Sequence, residues 1–452
     1  MSQQPTDTWN PASWRNKKAR QIPVYDDDST TEGVTDRLRS FPPLVSSWEV
    51  ERLKTRLAEA AAGHRFVLQG GECAESLEAT SEEIITGRLK LLLQMSVVLI
   101  YGLHMPVIRI GRFAGQFAKP RSSDSETIDG ISLPSYRGDI INGSEFSKIS
   151  RRPDPERMIR AYNHSAMTLN FVRALTSGGF ADLQHPEYWD LDFLQHSPFE
   201  ENYRGIVSSI DDAIRFLETV SEAPVTGTDS VQFYTSHEAL LLPYEEALTR
   251  SVEYGPGIYN LSTHFPWIGL RTSEPEGAHI EYIRGLANPV AVKVGPDMDA
   301  STIKSIVRTV NPHNEPGRLT LITRMGVERI ENELPALISA VNRTGFSVLW
   351  LCDPMHGNTE TTELGVKTRR FENIVGELEL AFDIHKASSN VLGGVHFELT
   401  ADNVTECMGG ARGLSEQDLQ RKYTSRVDPR LNGEQALELA FRIVTKRKGD
   451  DT

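Results

Sequence analysis

The stretch Phe346 to Glu360, FSVLWLCDPMHGNTE, decides how the fold is read. Its first half is a run of apolar and β-favouring residues, which predicts a buried strand. Its second half, Asp353-Pro354-Met355-His356-Gly357-Asn358, is a polar turn cluster. A buried strand that delivers a histidine at its carboxyl end is how barrel and doubly wound α/β enzymes present a site. Taken alone, His356 reads equally well as an ordinary turn residue. Recurrence of the pattern along the chain gives it weight.

Seven other runs have the same form. Residues 66–69 break at Gly70-Gly71 and lead into Glu72-Cys73, and 106–110 end in a glycine-bearing loop with Arg112, Lys119 and Arg121. Residues 231–236 lead into His237-Glu238, and 258–264 into Trp267 and Arg271. The runs 289–294, 318–323 and 390–397 carry Lys293, Arg324 and Glu398. Helical periodicity falls at 46–62, 81–101, 154–175, 208–220, 300–309, 328–342 and 370–385. A further loop of mixed charge spans 133–143. Eight strand–helix units predict an α/β fold, a (β/α)8 TIM barrel with an N-terminal extension and additional helices. A doubly wound open sheet is the runner-up. There is no P-loop, no GxGxxG fingerprint and no internal repeat.

Residues 1–48 are rich in Pro, Asp, Ser and Thr and predict an extended arm with little core of its own, packed on a neighbour. Trp9, Trp14 and Trp48 argue against disorder there. Residues 49–452 are assigned to the barrel catalytic domain with its inserted helices. No secretory signal pattern opens the chain, and no apolar run approaches the length that crosses a bilayer. A cytoplasmic enzyme with no membrane partner is the expectation. Three cysteines in 452 residues make no disulfide framework. A net charge of −14 argues against non-specific nucleic-acid binding, though a local site field can oppose it.

Two groups stand out at the strand ends. The first is cationic: Arg112, Lys119, Arg271, Lys293 and Arg324. Burying unpaired cations is costly, so acids or an anionic ligand must compensate them. In an acidic protein this suggests a substrate bearing phosphate or carboxylate, with separate structural ion pairs as the competing reading. The second group is Cys73, His356 and Glu398, with Asp428 of SRVDPRLN as a fourth member. Sulfur, nitrogen and oxygen ligands together suit a divalent transition metal. Spacing alone leaves this set open to reading as a core cysteine beside solvated acids.

The strand ends carry the motifs LQGGECAE (68–75), RFAGQFAKPRS (112–122), LPSYRGDIING (133–143) and TSHEALLLPYE (235–245). WIGLRT (267–272), AVKVGP (291–296), LITRMG (321–326) and CDPMHGNT (352–359) follow. GGVHFELT (393–400), NVTECMGGA (403–411) and DPRLN (428–432) complete the set. As a set, over roughly residues 40–447, they resemble the class II (plant-like) 3-deoxy-D-arabino-heptulosonate 7-phosphate (DAHP) synthases. The resemblance implies a metal-dependent barrel enzyme that condenses phosphoenolpyruvate with erythrose 4-phosphate at the head of the shikimate pathway. It implies Cys73, His356, Glu398 and Asp428 as ligands of a divalent ion, Mn²⁺ or Co²⁺ first, and after them Fe²⁺, Zn²⁺ or Mg²⁺. Arg112, Arg271, Lys293 and Arg324 would grip phosphoenolpyruvate. Lys119, Arg121 and Ser122 would serve the erythrose 4-phosphate end. Glu238 and Trp267 would line the site, Glu238 positioning or deprotonating a water and Lys293 and Arg112 assisting catalysis. A homodimer or homotetramer is implied.

Two departures from the family pattern matter. Leu270 stands where an acidic residue commonly precedes the arginine of WIG-x-RT, and Glu72 stands where Asp is common. Leu270 keeps open a related synthase that uses another aldose, such as an amino-sugar phosphate. An aldolase unrelated to phosphoenolpyruvate and a catalytically silent regulatory subunit also stay open.

Overall fold

The computed structural model describes residues 9–178, 200–221, 231–253, 255 and 257–450. Eight parallel strands close into a barrel. They are β1 (Phe66–Gly71), β2 (Val107–Arg112), β3 (Tyr234–Glu238) and β4 (Phe265–Ile268), then β5 (Val290–Val294), β6 (Leu319–Thr323), β7 (Leu349–Cys352) and β8 (Leu392–Glu398). Each pairs with its neighbour in sequence, and β8 returns to β1. All eight are buried almost throughout, which is why they read as continuous apolar runs and not as alternating ones.

The pleat then sorts residues two apart onto one face. On the inward face Val67 is followed by Gln69, Ile108 and Ile110 by Arg112, and Ala291 by Lys293. The lower barrel is therefore an apolar plug of Val67, Ile108, Ile110, Phe265, Ile322, Leu349 and Leu351. Leu53, Leu57 and Ala60 of the helix Ser47–Ala61 join this plug and close the amino-terminal mouth. That helix starts on a capping box, with Ser46 and Glu49 satisfying each other's backbone N–H groups. Polar inward residues are concentrated at the carboxyl ends, as in barrel enzymes generally.

Several boundaries differ from the sequence reading. The run 258–264 is not a barrel strand. Ile258–Asn260 forms an antiparallel hairpin with Thr249–Ser251, and the barrel uses Phe265–Ile268. Asn260, Ser262 and His264 are drawn into buried side-chain hydrogen bonds instead, and Pro266 disguises the true strand. The third strand lies at 234–238 and not 231–236, and the seventh starts at Leu349 and not Phe346. The loop 133–143 begins inside a hairpin, Ser125–Ile128 against Ile131–Pro134.

The arm is corrected too. Within it, Asp28–Ser40 is a helix, capped by the Asp27 side chain on Ser29 N. The arm also packs on its own chain. Trp14 is buried and donates its indole N–H to Glu246 Oε2 at 2.9 Å, while Trp9 donates to Glu281 O at 2.9 Å. Residues 1–8 lie outside the described residues. Finally, helix Glu82–Leu103 is long and apolar enough by length and composition to cross a membrane, contrary to the sequence reading. Two thirds (67%) of its apolar window is buried, against the C-terminal helix Gly433–Asp450, β2 and the helix Glu156–Ser177, so its hydropathy is accounted for by the core.

Candidate active site

Glu398, last residue of β8, is the hub of the carboxyl-end face. It is fully buried. Its Oε1 lies 3.0 Å from His356 Nε2, accepts from Arg112 Nη2 at 3.1 Å and lies 3.6 Å from Lys119 Nζ. Its Oε2 accepts from Arg369 Nη2 at 2.8 Å. Burial opposes its charge, but His356, Lys119, Arg369 and Arg112 together hold the carboxyl well below the usual range.

Cys73 and Asp428 complete a tight cluster with Glu398, one donor atom from each lying within 4.8 Å of the others. His356 reaches this group through Glu398. The Lys119 ammonium sits inside it, 2.7 Å from Cys73 Sγ and 2.5 Å from Asp428 Oδ2. Burial disfavours the Lys119 charge, yet Asp428, Cys73 and Glu398 outweigh it and raise the pKa. Burial, then Glu398, pushes the Cys73 thiol up to about 12. The three donors thus already converge on one cation. A set of S, N and two carboxylate donors fits a divalent metal, which would favour the thiolate where an ammonium does not suffice.

The second set interlocks with the first. Lys293 Nζ and His356 Nδ1 share one acceptor, Asp353 Oδ2, at 2.6 and 2.7 Å. A carboxylate behind a ligating imidazole fixes its orientation and tautomer. Arg112 also meets His396 Nε2 at 2.9 Å and lies over the Trp267 ring, 5.2 Å from its centroid. Arg324 Nη2 donates to His356 O at 2.5 Å. Glu238 is half-buried, and desolvation of its carboxyl raises its pKa against the pull of Lys293, Lys119, Arg112 and Arg271. Among the described residues four buried polar atoms here have no hydrogen-bond partner: Arg112 Nε, Glu238 Oε1, Trp267 Nε1 and Arg324 Nε. Buried unsatisfied groups are rare in folded proteins, and these four at the strand ends are what a polar ligand would satisfy.

Not every predicted residue joins this cluster. Arg271 is exposed at the rim, on a short 3-10 turn headed by Leu270. Leu270 lies against Gly295, where an added Cβ would collide with its Cδ2. The departure at this position is therefore apolar packing on the β5 exit. Arg121 is turned to Glu126, at 2.8 Å, and Ser122 is exposed. Lys119, assigned by resemblance to the erythrose 4-phosphate end, has its ammonium inside the donor cluster.

The sequence reading missed Asp353, His396 and Arg369. Asp353 stands in plain view inside CDPMHG, where turn chemistry is enough to explain an aspartate. His396 lies two residues before Glu398, the spacing that puts both on one strand face. Arg369 had no signal. It comes from a small hairpin, Thr359–Thr361 with Lys367–Arg369, and is buried by closure of that hairpin over Pro429.

The Class-II DAHP synthetase family model matches residues 9–444. The chain belongs to the class-II DAHP synthetase family. It is 46% identical over 463 residues to a phospho-2-dehydro-3-deoxyheptonate aldolase of Neurospora crassa, covering 98% of this chain and 96% of that one. It is 44% identical over 431 residues to the protein of the same name from Streptomyces coelicolor, covering 95% and 96%. A crystal structure of a Thermotoga maritima phospho-2-dehydro-3-deoxyheptonate aldolase (DAHP synthase) covers 86% of this chain and 70% of its own, at 14% identity and a TM-score of 0.35. That likeness is too slight to carry an argument.

Proposed function

We propose that this class-II DAHP synthetase family member joins phosphoenolpyruvate to erythrose 4-phosphate with release of inorganic phosphate, using the Glu398 cluster and the cations around it. As a member of that family the chain is a DAHP synthase. The observation that carries the residue assignment is the interlock of two sets. Arg112 holds Glu398 from the cationic side, and Asp353 ties Lys293 to His356.

Cys73, His356, Glu398 and Asp428 are the residues that would hold a divalent ion, Mn²⁺ or Co²⁺ in first place. Bound there, it supplies Lewis acidity for the aldehyde. The chain's own residues do the rest. Arg112, Lys293 and Arg324, with Arg271 at the rim, hold the phosphate and carboxylate of phosphoenolpyruvate. Two anions that repel in water are thereby brought into contact geometry. The enol carbon C3 attacks the aldehyde carbon and forms the new C–C bond, and positive character develops at C2. Glu238, half-buried and with its pKa raised, takes a proton from the water that adds at C2. The tetrahedral carbon then expels inorganic phosphate. Trp267 walls the pocket and supports the Arg112 plane. Lys119, Arg121 and Ser122 receive the second phosphate. Burial keeps the His356 pKa low despite Asp353 and Glu398, which favours the neutral ring that a metal ligand must be.

The protein is proposed to work in the cytoplasm as a homodimer or homotetramer. The test is phosphate release from phosphoenolpyruvate, with and without erythrose 4-phosphate, chelator, and Mn²⁺ or Co²⁺. Release that needs both aldose phosphate and metal is expected. Release with an amino-sugar phosphate but not with erythrose 4-phosphate would overturn the acceptor assignment. Bound metal with no release from any aldose would overturn the reaction.

A further inference from the structure

The N-terminal arm runs from the segment after β4 to the loop after β2. Trp9 lies under Gly285, where an added Cβ would collide with its ring. Lys18 O then accepts from Ala278 N at 3.1 Å, and Arg20 pairs with Glu274, just beyond Arg271. The next residue, Gln21, reaches the opposite loop. Its Oε1 accepts from Arg121 N at 2.9 Å and its Nε2 donates to Arg121 O at 3.0 Å. The side-chain amide thus pairs with the Arg121 backbone as a neighbouring strand would. Arg137 Nη1 also donates to Gln21 Oε1, at 2.9 Å, and Lys119 N donates to Arg137 O at 2.8 Å. Gln21 has φ +63°, a left-handed conformation that a non-glycine residue adopts at some cost. The surrounding contacts therefore hold it in place.

Two facts about the 119–122 loop make this contact matter. Lys119 is buried and fixed by the donor cluster, whereas Arg121 and Ser122 lie outside it, half-buried and exposed. Gln21 is the one residue of the arm among the described residues that hydrogen-bonds the backbone between them. From this geometry we infer that Gln21 is a positioning residue for the aldose-phosphate end of the site. It holds Arg121 and Ser122 in register with Lys119, so the arm sets affinity for the acceptor and not for phosphoenolpyruvate. This rests on the proposed role of KPRS at the acceptor end.

Gln21→Gly tests it, because glycine accepts the positive φ and only the amide is lost. The expected result is a KM for erythrose 4-phosphate raised about tenfold, as for loss of a pair of hydrogen bonds. The KM for phosphoenolpyruvate and kcat should stay within about twofold. Faster hydrogen exchange at the Arg121 amide in the same variant checks the contact directly. Arg121→Ala separates the two claims. A raised acceptor KM in Arg121→Ala but not in Gln21→Gly overturns the role of the arm. No change in either variant overturns the acceptor assignment itself. Equal rises in both KM values for Gln21→Gly would also overturn the inference, since the arm would then act on the whole face. Should Gln21→Gly fail to fold, Gln21→Asn, which tolerates the same φ but is one methylene short, gives the same three outcomes.

Discussion

The two ends of the site are built differently. At the proposed cation-and-phosphoenolpyruvate end, most side chains come from strand termini or the residues just after them. Glu398 and Arg112 end their strands, Lys293 sits within β5, and Cys73 follows β1 by two residues. These groups are nearly inaccessible and every charge has a named partner. At the proposed aldose-phosphate end, Arg121 and Ser122 lie on a loop that Gln21 of the arm hydrogen-bonds. The difference teaches where precision comes from. Barrel closure fixes strand ends through the hydrogen-bonded ladders on either side, so several charges can be held against their own repulsion. A loop has no such frame and borrows one from elsewhere in the chain.

The largest expected effect breaks the strand-built end. Cys73→Ser and Glu398→Gln should each lower metal affinity and phosphate release together, by more than about 100-fold. Metal content by mass spectrometry, read beside activity, checks this. Full activity in Cys73→Ser protein stripped of metal would sink the assignment. Next in size, Arg112→Ala should cut kcat/KM about 10²- to 10³-fold, the scale seen when one preorganised donor is removed. A loss confined to the KM for erythrose 4-phosphate would place Arg112 at the wrong end. Arg121→Ala should be milder, raising that KM about tenfold with kcat little changed. A comparable fall in kcat would erase the contrast between the ends.

A separate effect, on stability and not on activity, concerns what holds two strand exits together. Glu377, in helix Phe371–Ala387, accepts from Met325 N at 2.7 Å and from Asn358 Nδ2 at 2.7 Å. It thereby links the loops that carry Arg324 and His356. Burial raises its pKa from 4.5 to about 7. A carboxyl raised in the folded state stabilises below the unfolded pKa, and that stability is lost as pH rises through the folded value. Between pH 4.5 and 7 wild-type stability should thus fall by on the order of 3 kcal/mol from this group, and Glu377→Gln should flatten that slope. Melting temperatures across the window measure it. An unchanged slope in the variant would mean that Glu377 is not the titrating group.

The eight strands and their order were legible in the sequence because parallel barrel strands are buried on both faces and so leave unbroken apolar runs. The fourth strand is the instructive exception: Pro266 and the polar run Asn260–His264 shifted its apparent position upstream of the real one. The charged ends of those runs also exposed Cys73, Arg112, Lys293, His356 and Glu398, since a cation or acid beside an apolar run is a local anomaly. Family motifs gave roles to Asp428, Lys119 and Arg121, which spacing alone left open. Tertiary structure alone decided the rest. It brought Arg369 onto Glu398, set Asp353 between Lys293 and His356, put Lys119 inside the donor cluster and laid Gln21 against Arg121. The reason is physical. Burial and periodicity are written into neighbouring residues, whereas which charge compensates which is settled only when barrel closure brings segments hundreds of residues apart into one low-dielectric space.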